Sequence, residues 1–216
     1  MAQSLGSFGE QGLMPERYRL SFTTGGLFLR ESSTVAACYL AARDWKKARD
    51  KVRQENLLQV RTAAAATRIS KEVTARLELL DDAELEALQD LGLRDQAYLL
   101  WVAACRRYTF LREFATELLR EHHLSMRREL SFGDYDNFYN SKALWHPELD
   151  ELAPSTQQKL RQNLFRMLRE ADLISEQHVI QPSLLSPFVA ELLARHGVGD
   201  LMVFPISDTE IQRWRI

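Results

Sequence analysis

Apolar positions recur every three to four residues along most of the chain, the period of helices packed by one face. Ser32 or Ser33 caps a first helix running through Arg43. Asp44–Leu58 reads as a second, with Trp45, Ala48, Val52 and Leu57 near one face and Lys46, Lys47, Arg49, Lys51 and Arg53 elsewhere. Gln59–Thr62 interrupts the pattern, and Thr62 is placed to N-cap a third helix over Ala63–Leu80, with Ala66, Ile69, Val73, Leu77 and Leu80 inward. Asp81-Asp82 opens a short acidic helix that stops at Gly92. From Asp95 to about His122 the residues Tyr98, Trp101, Cys105, Tyr108, Leu111, Ala115 and Leu118 keep helical spacing. The first half of that stretch, Ala97–Cys105, is apolar all round, as in a helix buried on several faces. It is the expected spine of the fold.

Beyond it, the aromatic-rich Phe132–Tyr139 opens a C-terminal portion punctuated by Pro147 and Pro154. Ser155–Ala171 is a long amphipathic helix with Leu160, Leu164, Met167 and Leu168 inward. Leu173-Ile174 and Val179-Ile180 flank the polar Ser175–His178, a candidate β-hairpin wing. A last helix over Ser183–His196 stops at Gly197. The expected fold is therefore all-α, with two helix-turn-helix-like units packed on a long central helix and a small C-terminal wing. The expected division is a disordered extension over 1–13, an N-terminal helical lobe over 14–128 and a winged-helix-like lobe over 129–216.

Composition narrows the function. Of 216 residues, 45% are apolar and 27% charged, the balance of an ordinary globular protein. The longest apolar run is far short of the ~20 residues a bilayer-spanning helix needs, and no basic-then-apolar leader opens the chain, so a cytoplasmic protein without membrane attachment is expected. Cys38 and Cys105 sit in apolar surroundings without a pairing pattern and read as reduced, buried thiols. No glycine-rich phosphate loop, His-Glu-x-x-His, Gly-x-Ser-x-Gly or Cys-x-x-Cys is present. No catalytic residue, metal site or cofactor is assigned, and an enzyme is not expected.

The net charge of −2 conceals strong segregation. Arg43–Arg76 holds ten bases against four acids, whereas Leu77–Ala104 holds one base against seven acids. Cys105–Arg128 is basic again and Glu129–Pro154 acidic. Such a dipolar surface is the electrostatic footprint to test for polyanion binding, although solvated, mutually paired helix faces produce the same pattern. Two segments fit the helix-turn-helix plan, in which one helix braces and the next offers polar side chains to base edges. In the first, Asp44–Leu58 braces and Thr62–Arg76 reads, with Lys46, Lys47, Arg49, Arg61, Thr62, Arg68 and Lys71 as DNA-contacting candidates. In the second, His146–Leu152 braces and Ser155–Ala171 reads, with Ser155, Thr156, Lys159, Gln162 and Arg166 as candidates. Three-helix units of this shape also serve as packing or protein-docking modules.

A resemblance bears on that choice. Tyr18-Arg19-Leu20-Ser21-Phe22-Thr23-Thr24-Gly25-Gly26-Leu27-Phe28, Asp44-Trp45, Asn56-Leu57-Leu58-Gln59-Val60-Arg61-Thr62, Arg76-Leu77 and Leu100-Trp101-Val102-Ala103-Ala104-Cys105-Arg106-Arg107-Tyr108 together resemble the BrxA family of BREX bacteriophage-exclusion proteins. The likeness runs from about Tyr18 to Ile174, and the thirteen residues before Met14 lie outside it. It implies an all-helical cytosolic protein with helix-turn-helix elements that binds double-stranded DNA beside a methyltransferase and ATPases in phage defence. It also implies a similarity to the RNA-binding antitermination factor NusB. The leading expectation is a non-enzymatic duplex-DNA binder, with a helical adaptor of BREX proteins and a NusB-like RNA binder as rivals. No heptad seam marks a dimer interface, so a monomer is expected.

Overall fold

A computed structural model describes residues 16–214, and the expected extension over 1–13 lies outside them. Helices α1 (Leu29–Ala42), α2 (Trp45–Gln54) and α3 (Ala63–Leu77) pack as a three-helix unit in which each touches the other two. Helix α1 starts earlier than its serines suggest. Phe28 takes left-handed geometry at the cap (φ 59°), while Ser32 is buried inside the helix. Helix α4 (Asp82–Asp90) is opened by Asp81, whose carboxylate and that of Glu84 form a reciprocal capping box. Behind this layer runs α5 (Leu93–Arg107), buried without interruption from Ala97 to Cys105. Its position as the spine matches its apolar run.

The spine is two rods rather than one. Tyr108 leaves helical geometry (φ −124°, ψ 98°), and the chain restarts as α6 (Thr109–Glu113), a π-helical stretch (Phe114–Leu119) and α7 (Arg120–Leu124). No glycine or proline marks the break, so no local signal announces it. Tertiary contacts hold it instead. The Tyr108 hydroxyl donates to Glu72 of α3 (2.5 Å), and the Tyr108 ring packs edge-on against Phe22 (5.2 Å). Phe110 and Phe114 then aim the second rod at Tyr135 and Phe138.

The C-terminal portion comprises α8 (Phe132–Ala143), α9 (Pro147–Asp150), α10 (Pro154–Glu170), α11 (Pro187–Ala194), a 3₁₀ stretch (Val198–Val203) and α12 (Asp208–Gln212). Three expectations change here. The second bracing helix is a single turn, α9. Helix α10 begins at Pro154, one residue before the expected Ser155, with Ala153 in the cap position, so Ser155 lies inside the first turn. The wing is not formed: among the described residues there is no β-strand, only isolated antiparallel bridges pairing Glu129 with Val179 and Ile174 with Ile180. The flanking pairs are too short to ladder. Ser175 Oγ closes the turn by accepting from Gln177 and Val179 N–H, and Leu173, Ile174 and Ile180 are drawn into the core.

Two segments without long helices bind the halves together. The strap before α1 buries Tyr18, Phe22 and Leu27. Tyr18 N donates to Glu148 (2.6 Å), its ring stacks on His146 (3.7 Å), and Asn163 Nδ2 donates to the Phe22 carbonyl (2.9 Å). At the other end Val203, Phe204 and Ile206 cover α5, where the Trp101 indole donates to the Val203 carbonyl (3.0 Å). One continuous apolar core thus contains residues from both halves. Cys38 and Cys105 are free and buried, and burial pushes the Cys105 thiol well above its ordinary range. Among the described residues no helix is long and apolar enough to cross a membrane.

Candidate nucleic-acid interface

The α2–α3 pair presents most of the basic block. Asp44 caps α2 by accepting from Lys47 N (2.9 Å), and that bond holds its carboxyl below the usual range. Ala48 and Val52 turn inward and Trp45 stacks on Tyr39 of α1 (3.9 Å). Lys46, Lys47, Lys51 and Arg53 are left facing solvent, with Arg49 half-buried. An eight-residue connection follows, in which Asn56 and Gln59 adopt left-handed backbone (φ 47° and 54°). It is longer than the ~3–4 residues usual between the helices of a helix-turn-helix. Thr62 caps α3 as expected, accepting from Ala65 N (3.1 Å).

On α3 the exposed face reads Ala64, Thr67, Arg68 and Lys71, with Arg61 at its entrance. Small residues between cations allow another surface to come close. Between the helices lies a groove of about 360 Å³ lined by Lys46, Arg49, Asp50 and Arg53 on one wall and Thr67, Ser70 and Lys71 on the other. Arg53 pairs with Asp50, and Arg49 lies 3.9 Å from Glu78. Among the described residues no carboxylate comes within 4.0 Å of the side-chain nitrogens of Lys46, Lys47, Lys51, Arg61, Arg68 or Lys71. This surface keeps its charge.

The α10 face differs. Ser155, Lys159, Gln162 and Arg166 are exposed and Thr156 is half-buried, as a reading helix requires. Most of its cations are nevertheless neutralised: Arg161 by Asp136 (2.8 Å), Arg166 by Glu170 (2.7 Å) and Arg169 by Glu176 (3.4 Å). Lys159 alone of the α10 bases lacks such a partner among the described residues.

The fold brings the two expected reading helices to one place. Arg68 and Ile69 of α3 and Lys159 of α10 line a cavity of about 460 Å³ whose floor is Thr23, Thr24, Gly25 and Phe28. That loop is fastened from both sides. Arg76 of α3 donates to the Gly26 carbonyl (2.8 Å) and to Glu72 (2.8 Å), while Glu170 of α10 accepts from Leu27 N (2.5 Å). Burial first, and the Glu72 carboxylate second, push the Tyr108 phenol up and keep it a hydrogen-bond donor to Glu72. The sequence reading missed Thr23, Thr24 and Gly25 as site residues; the run of two threonines before two glycines was their only local signal.

Elsewhere Asp81, Glu84 and His196 lie close enough together to suggest a metal centre. Both Glu84 oxygens accept from the Arg106 guanidinium (2.7 Å each), which also grips Asp200 (2.8 Å). A cation already occupies that carboxylate, so the cluster is an ion-pair network. Arg43 likewise neutralises Asp82 and Glu86 of α4 (2.8 Å each).

A match to the BrxA family model covers residues 16–197, including the three-helix unit, the spine and α10. The chain belongs to the BrxA family. The BREX protein BrxA of Escherichia coli O9:H4 (strain HS) is 26% identical over 180 residues, spanning 82% of this chain and 84% of that one. The BREX protein BrxA of Paramagnetospirillum magneticum is 25% identical over 160 residues, spanning 74% and 80%. The BREX protein BrxA of Bacillus cereus (strain H3081.97) is 25% identical over 157 residues, spanning 71% and 78%. The crystal structure of an uncharacterized protein from Magnetospirillum magneticum shares the fold, with a TM-score of 0.78 at 22% identity over 88% of this chain and 100% of that one.

Proposed function

We propose that this BrxA-family protein is a duplex-DNA-binding component of a BREX bacteriophage-defence system, acting in the cytoplasm by binding rather than by catalysis. The observation that carries the reading is the α2–α3 face. Lys46, Lys47, Lys51, Arg61, Arg68 and Lys71 are exposed on it and their side chains lack carboxylate partners among the described residues, whereas three of the four bases of α10 are paired. Unpaired cations around a groove between two helices suit a phosphate backbone, where each neutralised phosphate releases condensed counterions. Family membership supplies the BREX context, with the system's methyltransferase and ATPases as proposed neighbours.

Gel shifts with duplex DNA, single-stranded DNA and duplex RNA of equal length test the reading. Retardation of duplex DNA that fades as salt rises is expected. A shift confined to the RNA probe replaces it with an RNA-binding role of the NusB kind. A second reading, an adaptor for another BREX protein, is favoured by one feature: Leu144 and Trp145 are side by side and 80% and 71% exposed, next to the acidic α9. A duplex shift that survives Leu144→Ser with Trp145→Ser separates the two surfaces.

A further inference from the structure

The cavity between α3 and α10 holds groups from three distant parts of the sequence, and its lining includes no acid. We propose that Thr23, Thr24, Arg68 and Lys159 form one cradle for a single backbone phosphate of duplex DNA, fastening both candidate helices to the same point on the duplex. This inference rests on the duplex-binding reading above and names where the two lobes share one ligand.

The chemistry of the lining fits a phosphodiester. Arg68 brings a planar fork of N–H donors and Lys159 a compact point charge, and neither has a carboxylate within 4.0 Å among the described residues. The two threonine hydroxyls add uncharged donors. Gly25 adopts left-handed backbone (φ +67°), and a Cβ there would lie 2.2 Å from the Phe28 ring. The loop backbone thus packs directly against the Phe28 ring, which any other residue at Gly25 would displace. The loop is also set in advance. Its Gly26 carbonyl is held by Arg76, its Leu27 N–H by Glu170 and its Phe22 carbonyl by Asn163. The Arg76 guanidinium lies over the Phe28 ring at 5.4 Å and fixes it from behind. Little ordering remains to be done when a phosphate arrives. The α2–α3 groove differs in this respect, since its lining includes Asp50 paired with Arg53.

A double-mutant cycle tests the sharing of one phosphate. Fluorescence anisotropy of a labelled duplex is followed across a salt series for the full chain, Arg68→Gln, Lys159→Gln and the double variant, with thermal melts confirming folding. Both single variants are expected to weaken binding, and the double is expected to cost less than the sum of the two, because each removes part of one contact. The log–log salt slope of the double variant is expected to become shallower by about 0.9, one phosphate's worth. Additive losses with a slope change of about 1.8 place the two cations on separate phosphates and overturn the cradle. Thr23→Val with Thr24→Val is expected to weaken binding while leaving the salt slope unchanged, and unaltered affinity in that variant removes the loop from the site. If the full chain binds duplex and neither Arg68→Gln nor Lys159→Gln weakens it, the cradle is wrong and the α2–α3 reading stands. If the full chain fails to bind duplex DNA, both fall. Cradle variants that lose duplex RNA while retaining duplex DNA assign the site to RNA and also overturn the proposal.

Discussion

Trp101 offers the sharpest probe of the spine. The side chain is fully buried on α5, and its indole donates to the Val203 carbonyl at 3.0 Å, so it joins the core to the C-terminal segment laid over it. Truncation to alanine removes the largest fully buried side chain and leaves that carbonyl without its donor. Deleting a buried aromatic costs about 3–5 kcal/mol, against a total stability of about 5–15 kcal/mol for a typical domain. For a chain of this size about 2–4 °C of melting temperature corresponds to each kcal/mol, so Trp101→Ala is expected to melt roughly 6–20 °C below the parent. Trp101→Phe keeps most of the ring and loses the indole N–H, so its cost is expected to be smaller than that of alanine. Urea unfolding read by far-ultraviolet circular dichroism gives both numbers. An alanine variant within about 1 kcal/mol of the parent refutes the packing argument, because such a cost belongs to a surface position.

Gly25→Ala is expected to cost at least about 1 kcal/mol, since a left-handed L-residue is strained and its Cβ must push aside the Phe28 ring; an unchanged urea midpoint contradicts the loop geometry. Stability is expected to fall between pH 7 and pH 5.5 through the buried His122, whose imidazole is held below the usual histidine range by burial first and the Arg127 guanidinium second. The unfolded chain then takes up the proton near pH 6.5 while the folded chain resists it, so stability present above that pH is lost as pH falls through it. The same fall in His122→Gln as in the parent would assign the effect to another group, His178 being the other histidine held low.

Local patterns carried the fold class further than the site, and further than the caps, where Thr62 caps its helix but Ser32 and Ser33 do not. Asp44 and Thr62 cap α2 and α3 as their side-chain chemistry requires, and the apolar run Ala97–Cys105 is the buried spine. The break at Tyr108 was invisible because its causes, Glu72 and Phe22, lie far away in sequence. The expected wing failed because period-two alternation over two residues on each side does not outweigh burial of Leu173, Ile174 and Ile180. Charge blocks in the sequence located the basic α2–α3 surface. Pairing is a property of the fold, so only the structure separates Lys71 from Arg166, which Glu170 neutralises on the next turn of α10. The meeting of Arg68 and Lys159 over the Thr23–Gly25 loop lies beyond any local periodicity.

The most direct test of the central claim is the salt dependence of duplex affinity for the parent chain and for Lys46→Glu, Lys47→Glu and Lys71→Glu combined. All three side chains are exposed, so the fold is expected to survive and thermal melts to coincide. If each lysine meets one phosphate, the log–log slope becomes shallower by about 0.9 per contact, or about 2.7 in total, and affinity at low salt drops. Affinity and slope equal to those of the parent would contradict the account and move the DNA surface away from α2 and α3.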